Sequence, residues 1–165
     1  MSVTATYFQK KDYLEVPNQS AARGGQTDTT TAVELARYIT LYETKFLKRL
    51  LGSLYADYVA NPTDARWVAL DAKLYDTTNF VSPVANYIFF YFYRDLCLKN
   101  TGVGTVEAKA EGVQTSARLC QAWNMMVEMM NETDGVLDLL YTSADYEIED
   151  CVWLDFTHTI NTLGI

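Results

Sequence analysis

Apolar side chains recur every three to four positions from Ala32 through Ala36, Ile39, Phe46, Leu47, Leu50, Leu51 and Leu54 to Tyr58. Lys45, Lys48 and Arg49 fall on other faces. This is the spacing of an amphipathic helix with one side against a core. Thr31-x-x-Glu34 has the form of a capping box, in which hydroxyl and carboxylate satisfy the free amides of a first turn, so the helix is expected to start there. Gly52-Ser53 predicts a kink. Asn61-Pro62 predicts the stop, because proline disfavours helical backbone in the residue before it.

Pro62 also suits the first turn of a next helix carrying Trp67, Leu70, Leu74 and Tyr75. Ser82-Pro83 repeats the device and opens residues 84–98, which are apolar or aromatic on nearly every face. That run is expected to be the central helix, with Tyr87, Ile88, Phe90 and Tyr91 at the heart of the core beside Trp123. Its Tyr, Ile and Phe content would also suit a strand, but its length and its proline start favour a helix.

Residues 101–112 break the helical period with glycines and β-branched residues, predicting a long loop or small hairpin of the kind that exists to make contacts. A last helix is expected over residues 114–141, with Cys120, Trp123, Val127, Met130, Leu137 and Tyr141 on one face. Its 28 positions would reach about 42 Å, longer than so small a core requires, so part of it is expected to project. Asp134 falls inside that apolar stripe and Gly135 follows it, which predicts a kink. Before residue 30 the chain mixes Thr, Ser, Gln and Gly without any period, and is read as an extended arm. The organisation expected is therefore an arm over 1–29, a helical domain over 30–143 and an acidic carboxy-terminal segment over 144–165. The fold class is mainly α, a small bundle around a central apolar helix.

The length of 165 residues fits one domain, and the balance of 49% hydrophobic to 21% charged residues is that of a globular chain. No basic segment followed by an apolar run marks the amino terminus as a signal peptide. No stretch approaches the roughly twenty apolar residues of a membrane span, so no membrane association is expected. Cys97, Cys120 and Cys151 are widely spaced, with no Cys-x-x-Cys pair, and are expected to be reduced thiols in the core.

Charge is uneven. From Glu128 onward lie nine acids, among them Glu132, Asp134 and Asp138, and no Lys or Arg, so this part carries the whole excess behind the net charge of −8. Asp145, Glu147, Glu149 and Asp150 form its densest run, expected to face solvent or a DNA channel and to repel phosphate. The same run lacks the glycine and spacing of an EF-hand loop.

No catalytic constellation is legible. His158 is the single histidine, whereas nucleophilic triads need an imidazole near a nucleophile and an acid. Thr101-Gly-Val-Gly-Thr105 lacks the Gly-Lys-Ser/Thr of a phosphate loop and the third glycine of a dinucleotide fingerprint. No enzyme, cofactor or metal is expected. Met125 and Met129 are the better surface candidates of their methionine cluster, and Met126 and Met130 fall on the core face. The cluster from Lys45 to Arg49 is too short for a DNA-recognition helix.

Several stretches, in order, carry a resemblance: Phe46-Leu-x-x-Leu50-Leu-Gly52-x-x-Tyr55, Ala65-Arg-Trp67-x-x-Leu70, Ala85-x-Tyr87-Ile-Phe-Phe-Tyr-Phe-x-Arg94-Asp95, Thr101-Gly-Val-Gly-Thr-Val-x-Ala-Lys-Ala-Glu111 and Ala122-Trp-Asn-x-Met126-Val. Together they resemble small virion proteins of tailed bacteriophages of Bacteroidetes hosts and, more distantly, the helical head-tail connector (adaptor) subunits. The resemblance implies a structural subunit that forms a homo-oligomeric ring, of about twelve copies, between portal and tail. Its partners would be the portal protein and tail or stopper proteins, with DNA only as passing cargo, and its location the head-tail junction of the virion. Within such a ring, Thr101, Gly102, Val103, Gly104, Thr105, Val106 and Lys109 are the candidate inter-subunit contact. The acidic run Asp145, Glu147, Glu149, Asp150 is the candidate channel or solvent face. Another virion role, in tail completion or at the capsid, is the second reading, and a small regulatory binder the last.

Overall fold

The computed structural model describes residues 1–9, 14–16, 22–23, 26–27, 29–101, 104–107, 112–146 and 156–161. Among these the chain is mainly helical. Six α-helices run in order: α1 Thr29–Leu51, α2 Tyr55–Ala60, α3 Ala65–Leu74, α4 Pro83–Cys97, α5 Gly112–Asn131 and α6 Val136–Thr142. Two short antiparallel ribbons accompany them, β1 Ala22–Arg23 with β2 Gln26–Thr27, and β3 Leu98–Thr101 with β4 Gly104–Glu107.

The predicted central helix is α4. Ser82 caps it, its hydroxyl accepting from the Ala85 amide at 3.2 Å, and Pro83 occupies the first turn, where no amide is needed. It packs between α1 on one side and α5 on the other. Toward α1, Tyr91 stacks on Tyr42 at 4.5 Å, Tyr87 meets Phe46 edge-on at 5.3 Å and Phe92 meets Tyr38 edge-on at 5.3 Å. Toward α5, Phe90 lies against Trp123 at 5.0 Å and Asn86 reaches the Met129 sulfur. Asn86 itself is fully buried, its amide donating to Ser82 O at 2.9 Å, which satisfies a polar group that burial would otherwise penalise.

The order of burial along α4 differs from expectation. Val84, Ala85, Ile88 and Phe89 are sealed completely and Tyr87 nearly so, whereas Phe90, Tyr91 and Trp123 are only half-buried. A helix apolar all round carries no phase, so its sequence does not reveal which aromatic lies deepest.

Local chemistry shifts three other boundaries. Helix α1 begins at Thr29, two residues before the expected start, so Glu34 serves no capping box and pairs instead with Arg37 at 3.1 Å. Gly52 takes a left-handed φ of 52° and turns the chain through a 3-10 segment, Gly52–Leu54, giving the predicted kink a backbone cause. Pro62 precedes α3 and does not enter it; Asp64 is the cap, accepting from the Arg66 amide at 3.0 Å.

The single long helix expected over 114–141 is two helices. At the break Asp134 adopts φ 62°, and the Gly135 amide donates to Glu132 O at 2.8 Å. A Cβ on Gly135 would stand 2.6 Å from that same carbonyl, so only glycine fits the turn. Lys73 on α3 holds Asp134 through both its carbonyl and its carboxylate, each at 2.8 Å, and α6 folds back onto α3. The expected projection is absent from this stretch because Val136, Leu137 and Leu140 find burial there.

The terminal segments join the core. Val3, Tyr7, Phe8, Leu14 and Val16 are all buried, and a 3-10 turn, Ala5–Phe8, delivers Tyr7 edge-on to Phe80 at 5.5 Å. At the other end Phe156 is fully enclosed, 4.9 Å from Phe46. The stretch 156–161 is fastened to α5: Trp123 Nε1 donates to His158 O at 2.9 Å and Asn131 Nδ2 to Phe156 O at 3.0 Å.

Candidate assembly surfaces

Of the residues singled out at 101–112, Thr101 and 104–107 lie on the β3–β4 ribbon and Gly112 opens α5. Leu98 follows the last residue of α4 directly, so the ribbon continues the central helix without a linker. Its register pairs Leu98 with Glu107, Lys99 with Val106, Asn100 with Thr105 and Thr101 with Gly104. Thr101, Gly104, Thr105 and Val106 are thus strand residues, while Gly102, Val103 and Lys109 lie outside the described residues. Among the described residues the sheet has two strands only, so each strand leaves one edge of backbone donors and acceptors without a strand partner.

Of the acidic run, Asp145 is exposed and accepts from the Ser143 hydroxyl at 3.0 Å. Glu147, Glu149 and Asp150 lie outside the described residues. The carboxylates before it form a ridge around the α5–α6 break. Glu128 on α5 and Glu132, directly after its last residue, are four positions apart and exposed, and Asp138 on α6 accepts from the Asp134 amide at 3.2 Å.

A third surface extends the short basic cluster that begins at Lys45. The outer side of α1 carries Arg37, Thr40, Leu41, Thr44, Lys45 and Lys48 along a shallow groove. Lys45 sits over the Tyr42 ring at 4.5 Å and Lys48 over Tyr55 at 5.5 Å, contacts that hold both ammonium groups at the surface. At its edge Tyr38 donates to Asp95 Oδ2 at 2.7 Å, and Arg94 pairs with Asp95 at 2.9 Å while lying over Tyr91. Burial, then the bond to Asp95, pushes the Tyr38 hydroxyl up to about 12. The periodicity of α1 contained this side, but as the polar remainder of an amphipathic helix.

Inside, a polar cluster joins the amino-terminal segment to α1 and α3. Glu43 Oε1 accepts from the Val3 amide at 2.9 Å; Asp71, buried, accepts from Tyr58 Oη at 2.7 Å and pairs with the Met1 amine. Desolvation raises the Glu43 pKa, and burial first, then the Glu43 charge, raises that of Tyr75. Tyr75 Oη is enclosed beside them with no partner at hydrogen-bonding geometry among the described residues. Nothing in the sequence around Glu43 or Asp71 signals this, since each falls at a position whose helical phase reads as flank. The arrangement serves to anchor a segment, with carboxylates placed on backbone and terminal donors.

Of the remaining candidates, His158 is exposed, its Nδ1 within 2.9 Å of Thr157 Oγ1, and Cys120 is a half-buried free thiol. Cys97 and Cys151 have side chains outside the described residues. Met126 and Met130 are sealed in the core, and Met125 and Met129 are half-buried. No group of His, Cys, Asp and Glu among the described residues is arranged to hold a metal ion, and no helix among them is long and apolar enough to cross a membrane.

No family model, no curated protein and no solved structure matches this chain. The functional reading therefore rests on its surfaces and on the resemblance drawn from sequence.

Proposed function

We propose that this chain is a structural virion protein, a head-tail connector subunit that assembles into a ring between portal and tail. The observation that carries the reading is the β3–β4 ribbon mounted on the end of the central helix. A two-stranded ribbon is marginal by itself in water, and its open edges are a template for strand addition by a neighbour. Because β3 continues α4, force or displacement at the ribbon acts on the helix at the centre of the core. A rotationally repeated contact of this kind closes a ring, and each weak contact gains from the others around it.

The acidic carboxy-terminal part supports the same reading. A channel for DNA must let phosphates slide, and carboxylates repel them. The role of the chain is then mechanical: it joins two larger assemblies and takes no part in bond making.

Gold-labelled antibody against the chain, applied to purified virions, tests the location. Label at the head-tail junction is the expected result. Label along the tail or over the capsid would replace the connector with the other virion roles.

A further inference from the structure

Among the described residues, the outer side of α1 is an unpartnered helix face with a definite sign. Val33, Arg37, Leu41, Thr44 and Lys48 follow one another at spacings of three and four, so they share a stripe, flanked by Lys45. Val33 is 63% exposed and Leu41 41%, large apolar side chains left in water, Leu41 between cations and Val33 at the end of the stripe. Arg37 has a carboxylate partner in Glu34. Lys45 and Lys48 have none among the described residues, only the faces of Tyr42 and Tyr55.

The complementary surface is on the same chain, on the opposite side. Helix α4 lies between α1 and α5, and each neighbour turns its buried face to it: Leu35, Tyr42, Phe46 and Leu50 from α1, Ala122, Met126 and Met130 from α5. Half a helical turn from those positions lie the cationic stripe of α1 and, on α5 and at its end, Glu128 and Glu132. The two charged faces therefore point away from each other, and one molecule cannot bring them together. A second copy can.

We infer that the Arg37–Leu41–Lys45–Lys48 face of α1 docks on the Glu128–Glu132 face of a second copy of this chain, in a head-to-tail contact. The occupant is chosen by charge. The chain carries −8 overall, with the whole excess from Glu128 onward, so every copy presents an acidic surface to the stripe of another. A contact between two different patches is heterologous, the class that closes rings or grows filaments, whereas a two-fold dimer would set cations against cations. Leu41 would be covered at its centre and Val33 at its end. The inference deepens the proposed ring by naming its electrostatic face; the ribbon edges are a separate contact.

Sedimentation velocity of the full chain tests it. Self-association is expected to weaken at least about tenfold between roughly 0.05 M and 0.5 M salt, since exposed charges are screened over that range. Lys45→Glu with Lys48→Glu, and separately Glu128→Lys with Glu132→Lys, should each abolish it, with unchanged circular dichroism. Mixed one to one, the two variants should associate with each other to within about threefold of the parent, since reversed faces again match. If the α1 pair fails to fold, the acidic pair and the salt series decide. Association that ignores salt, or variants that do not complement, overturns the inference while leaving a ring built by the ribbon intact. A stripe that binds duplex DNA in preference to a second copy overturns it as well. Loss of ring formation on a portal with this contact demonstrated in solution would instead count against the connector reading.

Discussion

Asn124 and Ile160 hold each other twice: Asn124 Nδ2 donates to Ile160 O at 2.9 Å, and the Ile160 amide donates to Asn124 Oδ1 at 2.8 Å. A side-chain amide that both gives to and takes from one residue imitates a strand partner, and it fixes the stretch 156–161 along α5. Asn124→Ala removes both bonds and leaves a partly buried backbone pair to find water. The expected cost is about 1–3 kcal/mol in chemical denaturation, with amide exchange at Ile160 accelerated before the rest of the chain.

Phe89 and Phe90 are adjacent, yet Phe89 is sealed while Phe90 is half-buried on Trp123 and Tyr91. Phe89→Ala is expected to cost about 3–5 kcal/mol, and Phe90→Ala distinctly less, because part of the cavity it leaves opens to water. Urea denaturation of the two variants side by side measures the difference. Equal losses would place both rings in the core.

Glu43 is an acid whose pKa is raised in the folded chain, mainly because it is taken out of water. The folded state therefore binds its proton more tightly than the unfolded state does, so stability falls as pH rises from the ordinary carboxylate value through the raised one. Around it stand the Val3 amide, the Met1 amine, Tyr75 and Asp71. Glu43→Gln keeps an oxygen for the Val3 amide and removes the charge. Its melting temperature relative to the parent should become more favourable from about pH 4 to about pH 7. A difference that shrinks over that interval would mean that the carboxylate is stabilised, not strained, by its surroundings.

Gly135 closes the turn between α5 and α6 with no room for a side chain. Gly135→Ala should destabilise the chain by about 1–3 kcal/mol, since the obstructing atoms are backbone carbonyls that cannot swing aside. Thermal unfolding followed by circular dichroism reads this directly.

Where the sequence has punctuation or a clean period, the fold was legible. Ser82-Pro83 opens α4, Gly52 turns the chain after α1, and the glycines of residues 101–112 mark a hairpin. The kink expected at Asp134-Gly135 is a full break, because Lys73 captures Asp134 from another helix, a contact no local pattern contains. Phe8 and Phe156 were missed as core residues for a related reason: each is a lone anchor in an aperiodic segment, and only tertiary packing gives it a partner. The α1 stripe was visible as a polar helix side, but its meaning depends on what lies on the far side of α4. Of the candidate contacts, the hairpin residues were identifiable from glycine and β-branched content, while the polar cluster around Glu43 and Asp71 arises from helices far apart in sequence.

Electron microscopy of the purified chain mixed with its cognate portal protein tests the connector assignment, with a variant lacking residues 103–111, bridged by a short Gly-Ser linker, as the internal comparison. A connector subunit should give closed rings of the full chain seated on the portal, and a shortened variant that keeps its helical circular dichroism but forms none, because the ribbon edges are gone. A full chain that remains monomeric beside the portal, or a shortened one that builds the same rings at the same concentration, would contradict it.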